Sequence, residues 1–166
     1  VTNPNPGVAW GAAYWQYWED MDKVKSFRET PLKISKTLFK IERTDSGEKL
    51  VAAENLKPGD RVKVRVEIKT DRPMEYLHLK DSRVAGFEPV DVLSQYHWQD
   101  GLGYYQSTKD LSTNFFISYM PKGTYVLEYQ LVAQQRGDFS GGVSTLQCMY
   151  APEFSTHSTG GRFKVN

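Results

Sequence analysis

The sequence predicts an all-β protein: an antiparallel β-sandwich of about seven or eight strands from residue 31 onward, preceded by an extra N-terminal aromatic segment. Three observations predict this fold class. Apolar and polar residues alternate with the period of two that is typical of half-buried strands. Turn residues separate these runs at a spacing typical of sandwiches. Aromatic residues make up 13% of the chain, which favours strands over a helical bundle.

Length, charge and hydropathy limit what the chain can be. Its 166 residues fit one domain of ordinary size and a short additional segment. The net charge of +1 gives no field that would attract nucleic acid or an anionic membrane, so we expect neither as a partner. No apolar run approaches the ~20 residues of a membrane-spanning helix. Because the sequence starts at Val1 without an initiator Met or a signal-peptide pattern, we expect a piece of a longer protein.

Residues 8–18 form the extra aromatic segment. Trp10, Tyr14 and Trp18 would share one face of a helix, because they are four residues apart. High β-propensity and the lack of a preceding helix cap nevertheless favour a strand. Both faces of such a strand carry aromatic side chains, so the segment is expected to be covered on both sides.

The boundary of the sandwich is predicted close to residue 30. Residues 1–7 contain Pro and Gly and are expected to form a loop. Residues 19–30 are charged, lack a steady apolar period and are expected to form a linker. The chain is therefore divided into residues 1–29, an aromatic strand with a charged linker, and residues 30–166, the β-sandwich domain.

Two stretches of the predicted sandwich alternate most regularly. In residues 62–69 four aliphatic side chains point to one face and four charged side chains to the other, and residues 121–133 repeat this pattern with aromatic residues. Strands are predicted over residues 32–41, 50–54, 62–69, 76–80, 112–120, 121–133 and 143–150. The Gly160-Gly161 pair between two short β-type runs predicts a terminal hairpin.

Residues 91–110 form a long polar stretch that contains four aromatic residues. A stretch of this length between strands is uncommon unless it is functional or packs against a partner. Its aromatic side chains could bind sugars by stacking, or they could cover one end of the sandwich or dock a neighbouring domain. The predicted interface residues, taken with those of the N-terminal segment, are Trp10, Trp15, Trp18, Tyr96, Trp98, Tyr104 and Tyr105.

The sequence contains no pattern typical of an enzyme or a metal site. The three histidines are dispersed and have no spacing typical of metal ligands, and the single Cys148 is expected to be a buried apolar residue without an activating base. No nucleophile motif, phosphate-binding loop or dinucleotide fingerprint occurs. We therefore predict no catalytic residues, no metal and no cofactor. Arg136-Gly137-Asp138 is interpreted as a turn rather than as an adhesion motif.

Five short motifs occur together in the second part of the chain. They are Leu-x-Pro-Gly-Asp at 56–60, Gly-Phe-Glu-Pro at 86–89, Pro-x-Gly-Thr-Tyr-x-x-x-Tyr at 121–129, Gly-x-Phe at 137–139 and Met-Tyr-x-Pro-Glu at 149–153. Together they resemble the C-terminal macroglobulin domain of bacterial α2-macroglobulins, the tenth macroglobulin (MG10) domain, over residues 30–166. The resemblance gives a structural role to Gly86, Phe87, Gly123, Tyr125, Tyr129, Gly137, Phe139, Tyr150 and Pro152.

The resemblance implies a macroglobulin-type sandwich at the end of a large bacterial protein that traps proteases outside the cytoplasm, in the periplasm or at the cell surface. Residues 8–18 would be the chain returning from a CUB-like region. The partners would be neighbouring domains of the same parent chain and, for the parent, its target proteases. The family's reactive thioester motif is not in this sequence, because Cys148 is followed by Met149-Tyr150-Ala151.

Two functions from different classes remain open on the sequence alone. The first is a non-catalytic domain that docks against the neighbouring thioester or CUB-like region. The alternative is a carbohydrate-binding or adhesion module that uses the aromatic residues of 96–105.

Overall fold

A computed structural model describes residues 7, 8, 10–27, 29–45 and 47–166. These residues form thirteen β-strands and one short 3-10 helix, Met21–Lys23. The strands are β1 (Leu32–Thr44), β2 (Gly47–Ala52), β3 (Arg61–Thr70), β4 (Met74–Ser82), β5 (Phe87–Pro89), β6 (Gln95–Gln99), β7 (Leu102–Thr108), β8 (Ser112–Met120), β9 (Gly123–Ala133), β10 (Gly137–Gly141), β11 (Ser144–Cys148), β12 (Ala151–His157) and β13 (Gly161–Val165). Within this part of the chain, no helix is long and apolar enough to cross a membrane.

Two antiparallel sheets form the body of the protein. The five-stranded sheet has the order β2-β1-β3-β9-β5, and the six-stranded sheet has the order β12-β11-β4-β8-β7-β6. Strands β10 and β13 form a separate pair. The predicted all-β sandwich is thus confirmed, but with more strands than the seven or eight expected. The additional strands are mostly short, and several lie where the sequence predicted loops.

The core lies between the sheets, where the alternating strands meet. Val64 of β3 pairs with Tyr129 of β9, and Val66 pairs with Leu127, so the two most regular stretches of the sequence are neighbours. Their apolar side chains are buried, as predicted. The six-stranded sheet contributes inward-facing residues such as Phe115, which is fully buried. Burial of this apolar area is the main force that holds the two layers together.

The stretch predicted as a long loop, residues 91–110, contains an antiparallel hairpin. Strands β6 and β7 pair from Gln95↔Gln106 to Gln99↔Leu102, which leaves Asp100 and Gly101 as a two-residue turn. Both turn residues have positive φ, 52° and 74°. Asp-Gly is a favoured sequence for this kind of turn. The hairpin signal was therefore present in the sequence.

The predicted terminal hairpin is wrong. Strand β12 belongs to the six-stranded sheet, whereas β13 pairs with β10. Gly160 does not form a tight turn between the two; it lies against the N-terminal part of the chain. A Cβ atom at Gly160 would lie 1.6 Å from the carbonyl oxygen of Met21, so this approach requires a glycine.

Residues 19–30 were predicted to be a linker, but the described residues of 20–30, here called the N-terminal strap, lie first against the β10–β13 pair and then along the edge of β12. Phe27 forms an antiparallel bridge with His157, and the Gly160 N–H donates to the Val24 carbonyl at 3.1 Å. Asp22 accepts from Arg162 at 3.5 Å. The strap is therefore bound to the sandwich over several residues.

The predicted strand over residues 8–18 is not formed, since the described residues 10–18 have no regular secondary structure. A strand needs a neighbour for its backbone hydrogen bonds, and β-propensity alone does not supply one. The prediction of a loop for residues 1–7 falls almost entirely outside the described residues.

A buried ionic network joins the two sheets. Asp81 of β4 is fully buried, and Lys36 of β1 in the other sheet places its Nζ 2.6 Å from Asp81 Oδ1, with a side chain only 6% exposed. Tyr129 of β9 donates its hydroxyl hydrogen to Asp81 Oδ2, and the Ser144 hydroxyl donates to Oδ1 at 2.8 Å. Burial, and then the charge of Asp81, raise the pKa of Tyr129 well above its usual value.

Replacement of Lys36 should destabilise the fold strongly. Lys36→Met leaves the buried carboxylate of Asp81 without its counter-charge, and we expect a loss of about 3–5 kcal/mol in the free energy of unfolding. Urea titration measures this loss. Adding Asp81→Asn to Lys36→Met removes the second charge and should recover part of it.

The matched control for this change is Lys40→Met. Lys40 forms a 2.9 Å ion pair with Asp60 in which both side chains are partly exposed. Such a pair is typically worth less than about 1 kcal/mol. Equal losses for Lys36→Met and Lys40→Met would contradict the role assigned to the buried network.

Acid should weaken a second ionic contact, on the outer face of β9. Glu128 lies 2.7 Å from Arg65 and 3.2 Å from Lys63. Burial alone would raise the pKa of Glu128, but hydrogen bonds from Arg65 and Lys63 outweigh it and hold the pKa below its ordinary 4.5. A lowered pKa stabilises the fold above the unfolded-state value, and this stabilisation is lost as the pH falls through the folded-state value.

Glu128→Gln should therefore lower the free energy of unfolding at neutral pH. The difference from wild type should shrink as the pH falls below about 4. Urea titrations at a series of pH values measure it. A difference that does not change with pH would show that Glu128 acts through packing rather than charge.

Candidate functional site

Four aromatic rings form one row across the outer face of the six-stranded sheet, here called the aromatic row. Tyr96 of β6 pairs with Tyr105 of β7, Tyr105 pairs with Phe116 of β8, and Phe116 pairs with His78 of β4. The Tyr96 and Tyr105 ring centroids are 5.0 Å apart, and those of His78 and Phe116 are 4.8 Å apart and nearly parallel. The row thus spans four neighbouring strands.

Strand parity explains why these rings face outward. Leu77, Leu79 and Phe115 are buried between the sheets, and the residue next to each in sequence points to the opposite face. Phe116 is accordingly 38% exposed, whereas Phe115 is fully buried. The two tyrosines of the row were predicted as interface residues and His78 and Phe116 were not, because cross-strand neighbours cannot be identified without the register.

Trp98 extends the aromatic face beside the row. It pairs with Gly103, and a Cβ atom at Gly103 would lie 2.9 Å from the indole ring, so the glycine leaves room for the Trp98 side chain. Tyr96 and Trp98, both predicted interface residues, are largely exposed. They lie on β6, the edge strand of the sheet.

Tyr104, predicted as an interface residue, lies in the core instead and is only 3% exposed. Its ring stacks on His97 and packs edge-on against Phe115, and its hydroxyl donates to Gln99 Oε1 at 3.0 Å. Burial raises the pKa of Tyr104. The prediction treated the stretch as a loop, whereas alternation along β7 places Tyr104 and Tyr105 on opposite faces of the sheet.

A second exposed aromatic pair lies at the β11–β12 turn. The Tyr76 and Tyr150 rings meet edge to face with centroids 5.2 Å apart, and the Met149 N–H donates to the Tyr76 carbonyl at 2.9 Å. Tyr76 has φ of 52°, a left-handed conformation that costs an aromatic residue energy and often marks a functional position. Tyr76 was not predicted as a site residue, because no sequence signal indicates this backbone conformation.

Most of the family-motif residues contribute to packing. The ring of Phe139 lies over Gly86 and Gly137, where a Cβ atom would be 2.6 Å and 2.7 Å from it. Gly86 also has a positive φ of 79°, so the position favours glycine for two reasons. Phe87 is buried and meets Phe163 at 6.5 Å.

The remaining motif residues divide between the core and the surface. Tyr125 and Tyr129 face the core from β9. Gly123 lies beneath the ring of Tyr125, where a Cβ atom would be 3.3 Å from the hydroxyl oxygen. Tyr150 and Pro152 are exposed at the β11–β12 turn, so this motif presents a surface rather than filling the core.

The N-terminal aromatic segment is the most exposed apolar part of the described chain. The large aromatic side chains of residues 10–18 are 69% to 103% exposed, and they include the predicted interface residues Trp10, Trp15 and Trp18. These rings are therefore not covered by the described parts of the protein.

The described residues contain no constellation for metal binding, since no group of three His, Cys, Asp or Glu side chains comes together in them. Cys148 is free and buried, and its thiol donates to the Glu75 carbonyl at 3.1 Å. Asp138 of the Arg-Gly-Asp sequence forms a 2.8 Å ion pair with Arg162. The surface that stands out is aromatic, and its chemistry is stacking and apolar contact.

The family model for the bacterial alpha-2-macroglobulin MG10 domain matches residues 32–153. Among solved structures, a mutant of Salmonella alpha-2-macroglobulin is similar, with 17% identity and a TM-score of 0.66 over 82% of this chain and 9% of that chain. No curated protein matches.

Two Escherichia coli structures are also similar. Alpha-2-macroglobulin activated by porcine elastase has 15% identity and a TM-score of 0.67, over 86% of this chain and 14% of that chain. The trypsin-activated protein has 14% identity and a TM-score of 0.65, over 84% of this chain and 10% of that chain. The chain thus spans only a small fraction of the length of each.

Substitutions of two adjacent phenylalanines, one at a time, should distinguish a core residue from a residue of the aromatic row. Phe115→Ala empties a buried site and should cost about 3–5 kcal/mol of unfolding free energy. Phe116→Ala removes a partly exposed ring that stacks on His78 and should cost about 0.5–1.5 kcal/mol. Denaturant titration of the two variants is the measurement. Equal costs would mean that Phe116 is a core residue and not part of an outward face.

Proposed function

The chain belongs to the family of bacterial alpha-2-macroglobulin MG10 domains, and from this premise we propose that it is a non-catalytic docking domain of a larger alpha-2-macroglobulin-like protein. Its partner is the neighbouring thioester or CUB-like region of the same parent chain. The observation that carries the proposal is the uncovered aromatic face of the six-stranded sheet, formed by the aromatic row and Trp98.

This face has the properties of an interface core. Tyr and Trp residues supply much of the binding energy in known interfaces, and here they stand on paired strands rather than on a loop. The buried ionic network fixes the sheet that carries them, so little conformational entropy is lost when a partner binds. The exposed Tyr76–Tyr150 pair lies near the start of β4 and at the β11–β12 turn, where the ladder between β4 and β8 skips Tyr76, so the pair is not counted as part of the docking surface.

For the parent protein we propose protease trapping outside the cytoplasm, in the periplasm or at the cell surface of a bacterium. The similar Escherichia coli structures are described as activated by trypsin and by elastase, which supports proteases as targets of such a parent.

Ring geometry favours docking over the alternative of sugar binding. The Tyr96 and Tyr105 rings are inclined by 64° to each other, so they do not form the flat platform on which a sugar ring stacks. A folded protein surface can match such a stepped arrangement, because its side chains interlock with the rings.

The experiment compares the 166-residue chain with its parent by hydroxyl-radical footprinting. Oxidation of Tyr96, Trp98 and Phe116 should be several-fold lower in the parent, because a neighbouring domain covers them. Leu111 is the control: it is exposed on the turn before β8 and lies outside the face, so its oxidation should not change. Equal oxidation of the three rings in both proteins would contradict docking at this face.

A further inference from the structure

We propose that Asp100 is a positioning residue for the aromatic face. Its carboxylate binds the tip of the β6–β7 hairpin to β9 of the opposite sheet, and this contact determines where Tyr96 and Trp98 stand. The inference rests on the proposed function and keeps its partner, the neighbouring region of the same parent chain. It adds the residue that holds one side of the docking surface in place.

One edge of β9 is largely without strand pairing. Strand β3 pairs with β9 over residues 123–132, whereas on the other side, within the described residues, β5 pairs only from Leu131 to Ala133. The backbone N–H groups of alternate residues point to the same edge of a strand. Those of Val126 and Glu128 point to the unpaired edge, where each needs an acceptor other than a neighbouring strand.

Two side-chain oxygens of the hairpin accept hydrogen bonds from these amides. Asp100 Oδ2 accepts from the Val126 N–H at 2.8 Å, and Gln99 Oε1 accepts from the Glu128 N–H at 3.1 Å. A carboxylate that accepts from a backbone N–H forms a charge-assisted bond, which is stronger than a neutral one. The hairpin tip is thus joined to the five-stranded sheet, although its two strands belong to the six-stranded sheet.

Both acceptors are held by the hairpin itself. Asp100 is the first residue of the two-residue turn, and its positive φ is one that aspartate tolerates better than most residues. Gln99 is fixed from the core, because the buried Tyr104 donates its hydroxyl hydrogen to the same Oε1 at 3.0 Å. The contact with β9 is therefore formed before any partner binds.

The contact matters for docking because β6 is otherwise held on one side only. It is the edge strand of its sheet, has five residues and pairs with β7. A short edge strand with one neighbour is among the first parts of a fold to open locally. Tyr96 and Trp98 both stand on this strand, and Trp98 is two residues before Asp100. A fixed tip limits the motion of both rings, so less conformational entropy is lost on docking.

Phe116 provides an internal comparison. It belongs to the same aromatic row, but it stands on β8, which pairs with β4 on one side and with β7 on the other. Its position is therefore determined from both sides and does not depend on the hairpin tip. Loss of the Asp100 contact should change the two rings of β6 and leave Phe116 as it is.

Asp100→Gly tests the hydrogen bond without removing the turn, because glycine accepts positive φ and Gly-Gly is favoured in such hairpins. Amide exchange in the 166-residue chain, measured by NMR, should become at least about tenfold faster at Val126, which loses a charged acceptor. Exchange at Leu127 should not change, since its N–H points to β3. Asp100→Asn keeps an oxygen acceptor and a favoured turn sequence, and should restore slow exchange at Val126.

Docking is tested by hydroxyl-radical footprinting of wild type, Asp100→Gly and Asp100→Asn, each as the 166-residue chain and within the parent. In wild type, Tyr96, Trp98 and Phe116 should be protected in the parent. Asp100→Gly should lower the protection of Tyr96 and Trp98 by at least about twofold and leave that of Phe116 unchanged. Asp100→Asn should restore it. A role in overall stability alone would lower the protection of all three rings alike.

The outcomes separate this inference from the proposed function. Equal protection of Tyr96 and Trp98 in wild type and Asp100→Gly would overturn the positioning role and leave docking at this face supported. Unchanged exchange at Val126, an equal loss at Phe116, or no restoration by Asp100→Asn would also overturn it, because the effect would then not come from this hydrogen bond. A wild type without protection in the parent would contradict the proposed function and the positioning role together.

Discussion

The carboxylate of Asp81 constrains this structure more than any other single group. It is buried between the sheets, and three side chains from three other strands contribute to its charge-assisted hydrogen bonds: Lys36, Tyr129 and Ser144. A shift of either sheet would leave an unpaired charge in the interior, which is far more costly than the loss of a few apolar contacts. The network therefore determines how the two sheets lie relative to each other.

The same residue determines what the outer surface presents. Because Asp81 must face inward, Leu79 and Leu77 face inward too, and His78 is directed outward between them. Pairing with β8 then sets Phe116 beside His78, and the row continues across β7 and β6. The aromatic face therefore follows from the requirement that Asp81 reach its hydrogen-bond partners in the interior. A one-residue shift in the register of β4 would turn His78 inward and remove the face.

Prediction from sequence succeeded where alternation alone determines the outcome, as in β3 and β9. It made no prediction for Lys36, which lies on the inward face of β1 between Ile34 and Leu38 and is buried there because Asp81 from another part of the chain pairs with it. Gly160 suggested a turn, but it serves a close approach by Met21. The Asp100-Gly101 turn has a sequence favoured in hairpins, but it lies in a polar stretch that was predicted as a loop. Predicting the aromatic row would have required the register between neighbouring strands, and the alternation within one strand does not give that register.

The strap has a mechanical consequence. Its contacts are arranged in series, from Asp22 beside Arg162, through Val24 and Phe27, to Thr30, whose hydroxyl donates to the Ser155 carbonyl at 3.0 Å. A pull on the chain before residue 20 would load these contacts one after another, like a zipper, rather than all at once. Each of these contacts is a single hydrogen bond, ion pair or bridge, whereas β1 is paired with β3 over nine residues, so the strap should detach before the sandwich is disrupted.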